Sequence, residues 1–110
     1  MGIGALATIS VQMPKNLTIA VLDNEHFGET GMQKSHTGYG VDLVGIAHSS
    51  GFPISRELTT MSEIEVAREE ILQNNGPMFL NIKINSQSPD RSLPTLDGVE
   101  LKNRFRTSLK

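Results

Sequence analysis

A carboxylate, a carboxamide and an imidazole stand close together at Asp23, Asn24 and His26, directly after the apolar run 17–22 (LTIAVL) and just ahead of FGETG (27–31). The Asn24 side-chain carbonyl and a nearby backbone carbonyl are hard oxygen donors. They suit a Mg²⁺ ion held mainly by phosphate and water. The same residue reads as an Asx turn that ends a strand, and on the residues alone that simpler reading comes first. In FGETG, Gly28 and Gly31 free the backbone to turn its N–H groups toward a phosphate, as glycine-bearing nests do. The stretch matches neither the P-loop nor the G-x-G-x-x-G fingerprint, and a plain surface loop reads as well. His26, His36 and His48 share no metal-ligand spacing on one element; a loop histidine is commonly solvated, so His26 and His36 stand only as candidates. Lys34 lies in the same loop as His36.

These groups need a rigid support. Residues 17–22 are apolar and β-branched with only Thr18 polar, the pattern of a strand covered on both faces in a parallel sheet. Ligands of open α/β sheets sit just beyond the carboxyl ends of strands, which puts 24–30 in the functional position. Upstream, 3–13 reads as a helix apolar nearly all round and stopped by Pro14. Downstream, 24–40 is a long polar loop of the kind that closes over sites. Asp42 caps a helix over 43–49, and Gly51 falls where a left-handed C-cap belongs. A short strand over 52–58 follows. Thr60 and Glu63 form a T-x-x-E capping box that opens a helix through Gln73, with Ile64, Ala67, Ile71 and Leu72 facing inward. Asn75-Gly76 breaks it, 78–84 is a third strand, 86–94 is irregular, and 99–109 is a basic amphipathic helix. Strands joined by helical crossovers predict an α/β fold, a three-layer sandwich with a parallel sheet.

At 110 residues the chain makes one domain with a modest core. A net charge of −2 argues against nucleic acid or an anionic membrane as partner. With no cysteine, disulfides and thiolate metal sites are excluded, and the composition suits a cytoplasmic protein. No apolar run approaches the ~20 residues of a membrane span. The acidic residues Glu63, Glu65, Glu69 and Glu70 read as a solvated helix face. Lys102, Arg104, Arg106 and Lys110 read as cations placed near a helix C-terminus, with no interleaved aromatic residues for base stacking.

Residues 14–31, PKNLTIAVLDNEHFGETG, resemble the second half of the cofactor-binding motif of thiamine diphosphate-dependent decarboxylases. That motif opens with Gly-Asp-Gly and closes on an Asn at the end of a strand. MGIGALATI resembles the helix after Gly-Asp-Gly, and VDLVGIAHSSGF resembles the helix and strand that come next. LDNEHFGETGMQ and LPTLDGVELKNRFRTSL are similar to the phosphonopyruvate and sulfopyruvate decarboxylase branch. The resemblance covers nearly the whole chain.

It implies that the Asn24 side chain and the His26 backbone carbonyl bind Mg²⁺. It also implies that Phe27, Gly28 and Glu29 lie near the diphosphate of thiamine diphosphate, which makes 1–110 a pyrophosphate-binding domain with a partial thiamine diphosphate-binding fold. The Gly-Asp-Gly half would fall just before Met1, so the chain is expected to be an N-terminally truncated piece. The glutamate that activates the cofactor would come from a pyrimidine-binding domain or subunit in a homo- or hetero-oligomer. On this reading the chain is the cofactor-binding part of a 2-keto acid decarboxylase and is inactive alone. Two other readings remain beside it: another thiamine diphosphate enzyme, such as an acetolactate synthase-like protein, and a non-catalytic α/β interaction module with a degenerate site. The sequence encoded upstream of Met1 separates them.

Overall fold

Proline decides where the first element stops. Helix α1 (Gly4–Gln12) ends ahead of Pro14, and Met13, barred from the right-handed region by the ring that follows it, turns left-handed at φ 46°. The computed structural model describes residues 2–73, 75–87, 90 and 92–109. Met1, Lys110 and part of the irregular stretch (Ser88, Pro89 and Arg91) lie outside them.

Beyond α1 come strand β1 (Thr18–Asp23), a small hairpin of β2 (His26–Phe27) and β3 (Gln33–Lys34), and helix α2 (Leu43–Ser49). Strand β4 (Ile54–Leu58), helix α3 (Met61–Leu72), strand β5 (Met78–Lys83) and helix α4 (Gly98–Ser108) complete the order. The caps read from sequence are present. The Asp42 carboxylate accepts the Gly45 N–H at 2.9 Å, Gly51 takes φ 102°, and Thr60 and Glu63 close a reciprocal capping box. Glu63 accepts the Thr59 and Thr60 N–H groups, and these bonds hold its carboxyl below the ordinary glutamate value.

The three long strands are all parallel, in the order β1-β5-β4. The last strand in the chain is therefore the central one. Its residues Met78, Phe79, Leu80 and Asn81 are all buried, as a strand covered on both faces requires. Alternation divides them between two cores. Phe79 joins Leu6, Ala47 and Phe52 on the face covered by α1 and α2, while Met78 and Leu80 join Leu58 and Ala67 on the face covered by α3. This is the expected three-layer α/β sandwich with a parallel sheet.

Two expectations change. Strand β1 reads as covered on both faces, yet it is an edge strand among the described residues. Ile19 and Val21 pack against the α1/α2 core, but Ala20 and Leu22 are exposed, because the helix on their side of the sheet packs over β4 and β5. Helix α4 forms as predicted, capped by Asp97, yet none of its described residues is buried. That helix helps explain a radius of gyration of 16.7 Å, where a compact chain of this length has about 13 Å.

Leu80, 1% exposed on the central strand, carries the α3-side core. Leu80→Ala is expected to lower the free energy of unfolding by about 3 kcal/mol in urea denaturation. A loss below about 1 kcal/mol would mean that this core is not closed as described.

Candidate functional site

Register puts one face of the sheet's carboxyl end under polar control. Ile19, Val21 and Asp23 of β1 pair with Phe79, Asn81 and Lys83 of β5, and Glu57 of β4 pairs with Asn81. Along this face the side chains pass from apolar to charged within two residue steps. Asp23, almost wholly buried, is the hub. Its Oδ1 accepts the Thr37 hydroxyl at 2.6 Å and the Glu25 N–H at 2.9 Å. Its Oδ2 accepts the Lys83 ammonium at 2.9 Å and the Asn81 amide at 3.4 Å. Lys83 also donates to Glu25 at 2.8 Å.

The electrostatics follow from these contacts. Burial alone would push the Asp23 carboxyl up. The Thr37 hydroxyl, the Lys83 ammonium, the Glu25 N–H and the Asn81 amide outweigh it and hold the pKa at about 2. Lys83, facing the Glu25 and Asp23 carboxylates, is held charged well above the ordinary lysine value.

Immediately beyond Asp23 the chain turns. The Asn24 Oδ1 accepts the His26 N–H at 3.0 Å, so the Asx turn is present. The His26 ring pairs through Nδ1 with the Asn24 carbonyl at 2.8 Å. Glu25, between them, has φ 62°. The hairpin folds back over this turn: the Ser35 N–H donates to the Glu25 carbonyl, and the Ser35 and Thr37 hydroxyls are 2.9 Å apart. The 24–40 stretch is thus not one open loop. It is a β2/β3 hairpin with one short 3₁₀ turn in its connection and another after it, tied to the end of β1.

An open cleft of about 510 Å³ runs along this end of the fold, within the rough 300–1,000 Å³ range of small-molecule sites. Asn24, His26, Ser35, His36 and Thr37 are among its polar lining; Val21, Phe27, Val41 and Leu43 are among its apolar walls. The structure therefore brings Asn24, His26 and Phe27 together on one cleft. Gly28 and Glu29 lie next door in a 3₁₀ turn (Gly28–Thr30); a Cβ at Gly28 would sit 3.9 Å from the Asn24 amide nitrogen. His36 reaches the cleft with its ring edge-on to Phe27. Lys34 instead sits over the Tyr39 ring, and His48 is exposed near the C-terminal end of α2. Among the described residues no group of three or more His, Cys, Asp or Glu side chains could hold a metal ion alone.

Sequence reasoning missed Asn81, Lys83 and Thr37, and gave the Asp23 carboxylate no partner. A signal existed for two of them. Asn81 and Lys83 interrupt an apolar strand two residues apart, so both face one side.

A parallel α/β sheet with an oxygen-bearing turn and a cleft at one strand's carboxyl end is the layout of a cofactor-binding domain. Residues 1–82 match the family described as thiamine pyrophosphate enzyme, C-terminal TPP binding domain, and the chain belongs to that family. Among curated relatives, it is 39% identical over 111 residues to sulfopyruvate decarboxylase subunit beta of Methanocaldococcus jannaschii, covering 100% of this chain and 58% of that one. It is 31% identical over 105 residues to the protein of the same name from Methanothermobacter thermautotrophicus, covering 96% and 54%. It is also 31% identical over 107 residues to phosphonopyruvate decarboxylase of Streptomyces viridochromogenes, covering 96% and 27%. The chain thus spans little more than half of the first two relatives and about a quarter of the third. No helix among the described residues is long and apolar enough to cross a membrane.

The lowered Asp23 pKa makes stability depend on acid. Because the folded value lies near 2 and the unfolded value near 3.8, the stabilisation is fully present above about pH 5 and lost as pH falls toward 2. Its size is about 2 kcal/mol. Urea denaturation between pH 2 and 6 should show this slope, and Asp23→Asn should flatten it. An unchanged slope in that variant would contradict the assignment.

Proposed function

We propose that this chain is the cofactor-binding part of a thiamine diphosphate-dependent 2-keto acid decarboxylase of the sulfopyruvate or phosphonopyruvate class, with Mg²⁺ held between protein and diphosphate. The observation that carries this reading is the position of Asn24, at the carboxyl end of β1 and on the wall of the cleft, in a chain of this family.

The donor set fits the group. The Asn24 Oδ1 uses one lone pair in the Asx turn and keeps another, and the His26 backbone carbonyl is a second hard, neutral donor. Asp23 and Glu25, the nearest carboxylates, are committed to Lys83, which leaves the neutral oxygens to meet the ion. Gly28 lets the diphosphate come close to the backbone beside Asn24, with Phe27 and Glu29 flanking it. When bound, the cofactor supplies the electron sink that loss of CO₂ from a 2-keto acid requires. The chain's own part is to hold the ion through Asn24 and His26 and to exclude water with Phe27, Val41 and Leu43. His36, at the cleft, is placed to donate a hydrogen bond to the anionic group of a 3-substituted pyruvate.

Other pieces come from elsewhere in this reading. An Asp of a Gly-Asp-Gly turn preceding residue 1 is the second side-chain ligand of the metal. The activating glutamate comes from a pyrimidine-binding domain or subunit in a homo- or hetero-oligomer, a reading supported by the relatives named as beta subunits. The assembled protein works in the cytoplasm.

Calorimetric titration of thiamine diphosphate with Mg²⁺ tests this. The 110-residue chain alone should bind weakly or not at all, and a version extended upstream should bind measurably. Asn24→Ala in the extended version should weaken binding roughly 10–100-fold. Undiminished binding by that variant would remove Asn24 from the ligand set, and tight binding by the short chain would contradict the proposed missing ligand.

A further inference from the structure

Glu25 stands in a backbone conformation that L-residues rarely adopt, one residue past the proposed cation ligand. Such a conformation persists when its surroundings over-determine it. Four contacts do so here, the first being the Glu25 N–H donated to the Asp23 Oδ1 at 2.9 Å. The Glu25 carboxylate is 2.8 Å from the Lys83 ammonium. Its carbonyl accepts the Ser35 N–H at 2.8 Å. Gly38 lies so close to that carbonyl that a Cβ there would sit 2.6 Å away.

The Lys83 contact differs in kind from the others. The same ammonium is 2.9 Å from Asp23, so one charge from the central strand grips the residue before Asn24 and the residue after it. Asp23 is buried and Lys83 itself is mostly covered, so the Asp23 half of the contact is shielded from water, while the Glu25 carboxylate stands at the surface. A carboxamide between two carboxylates that share one cation has little freedom to swing. The carboxylates, being engaged, are also kept from competing for an ion at the turn.

We propose that Lys83 is a positioning residue for the cofactor's metal. By bridging Asp23 and Glu25 it holds Glu25 left-handed and keeps the Asn24 amide and the His26 backbone in one fixed arrangement. The functional half of this proposal rests on Asn24 being a cation ligand.

The test pairs a conformational readout with a binding readout in the full chain. Three-bond HN–Hα couplings and Cα/Cβ shifts report the Glu25 backbone, and calorimetry reports Mg²⁺-dependent affinity for thiamine diphosphate in the version extended upstream. Lys83→Met should shift Glu25 out of the left-handed region and weaken binding by about tenfold or more. Adding Glu25→Gly, which takes positive φ without steric penalty, should restore affinity to within about threefold of the unmodified protein. Lys83→Arg, which keeps the charge, should also recover much of it. A purely structural role would not give recovery through Glu25→Gly.

An unmoved Glu25 with unchanged affinity in Lys83→Met overturns the proposal, and so does a loss that Glu25→Gly does not recover. Should Lys83→Met fail to fold, Glu25→Gln, which leaves the buried Asp23–Lys83 pair intact, replaces it; an unmoved backbone there is equally fatal. If the unmodified extended protein binds no cofactor, the reading of Asn24 fails, while the Glu25 backbone still decides whether Lys83 holds the turn.

Discussion

A single ammonium, close to Asp23 and Glu25 and 4.0 Å from Glu57, organises the carboxyl end of this sheet. Lys83 reaches from the central strand to Asp23 and Glu25 on the edge strand's turn, across about sixty residues of sequence, and Asp23 in turn binds the Thr37 hydroxyl of the hairpin. An exposed ion pair contributes little to stability; one whose carboxylate is almost wholly buried and satisfied by four donors behaves differently, because removing the ammonium strands a charge away from water. The strand end, the turn and the hairpin are therefore fixed relative to one another by a polar hub, where an apolar core would leave the turn free to rotate.

The sheet exists to bring that hub together. Placing the last strand between the first and second lets Asn81 and Lys83 sit beside Asp23 and opposite Glu57, all on the α1/α2 face. Farther from the carboxyl end the same face is apolar, with Ile19 and Phe79 closing the core. Apolar packing and charge thus divide one sheet face along its length: the amino-terminal half packs, and the carboxyl-terminal half holds charge. The family to which the chain belongs, defined by its thiamine pyrophosphate binding, gives a reason for the division. In the proposed reading, a diphosphate and its metal need rigid oxygens and nearby backbone, and a strand terminus braced by an ion pair with a buried carboxylate would offer both.

Much of this was legible in the residues. Local chemistry is read where it is made locally: Asp42 caps the helix expected over 43–49, which runs Leu43–Ser49, and Thr60 with Glu63 opens the next. Asn24 at the tip of a strand follows from an apolar run meeting two turn formers. What escaped depends on distant pairing. Nothing local says that β5 lies between β1 and β4, so nothing local says that Lys83 faces Asp23. The apolar run of β1 suggests cover on both faces, whereas Leu22 is 66% exposed, since composition reports a need for cover and not its source. The hairpin within 24–40 has strands of two residues each, too short for any periodicity to register.

The central claim is that the turn at the end of β1 holds the cofactor's divalent ion. Paramagnetic relaxation tests it directly and tolerates weak binding: Mn²⁺ in place of Mg²⁺, with thiamine diphosphate, is titrated into ¹⁵N-labelled protein. Broadening should begin at the amides of Asn24, His26 and Gly28 and leave α3 and α4 sharp. Broadening centred on the acidic residues of α3, or spread evenly over the surface, would contradict the account.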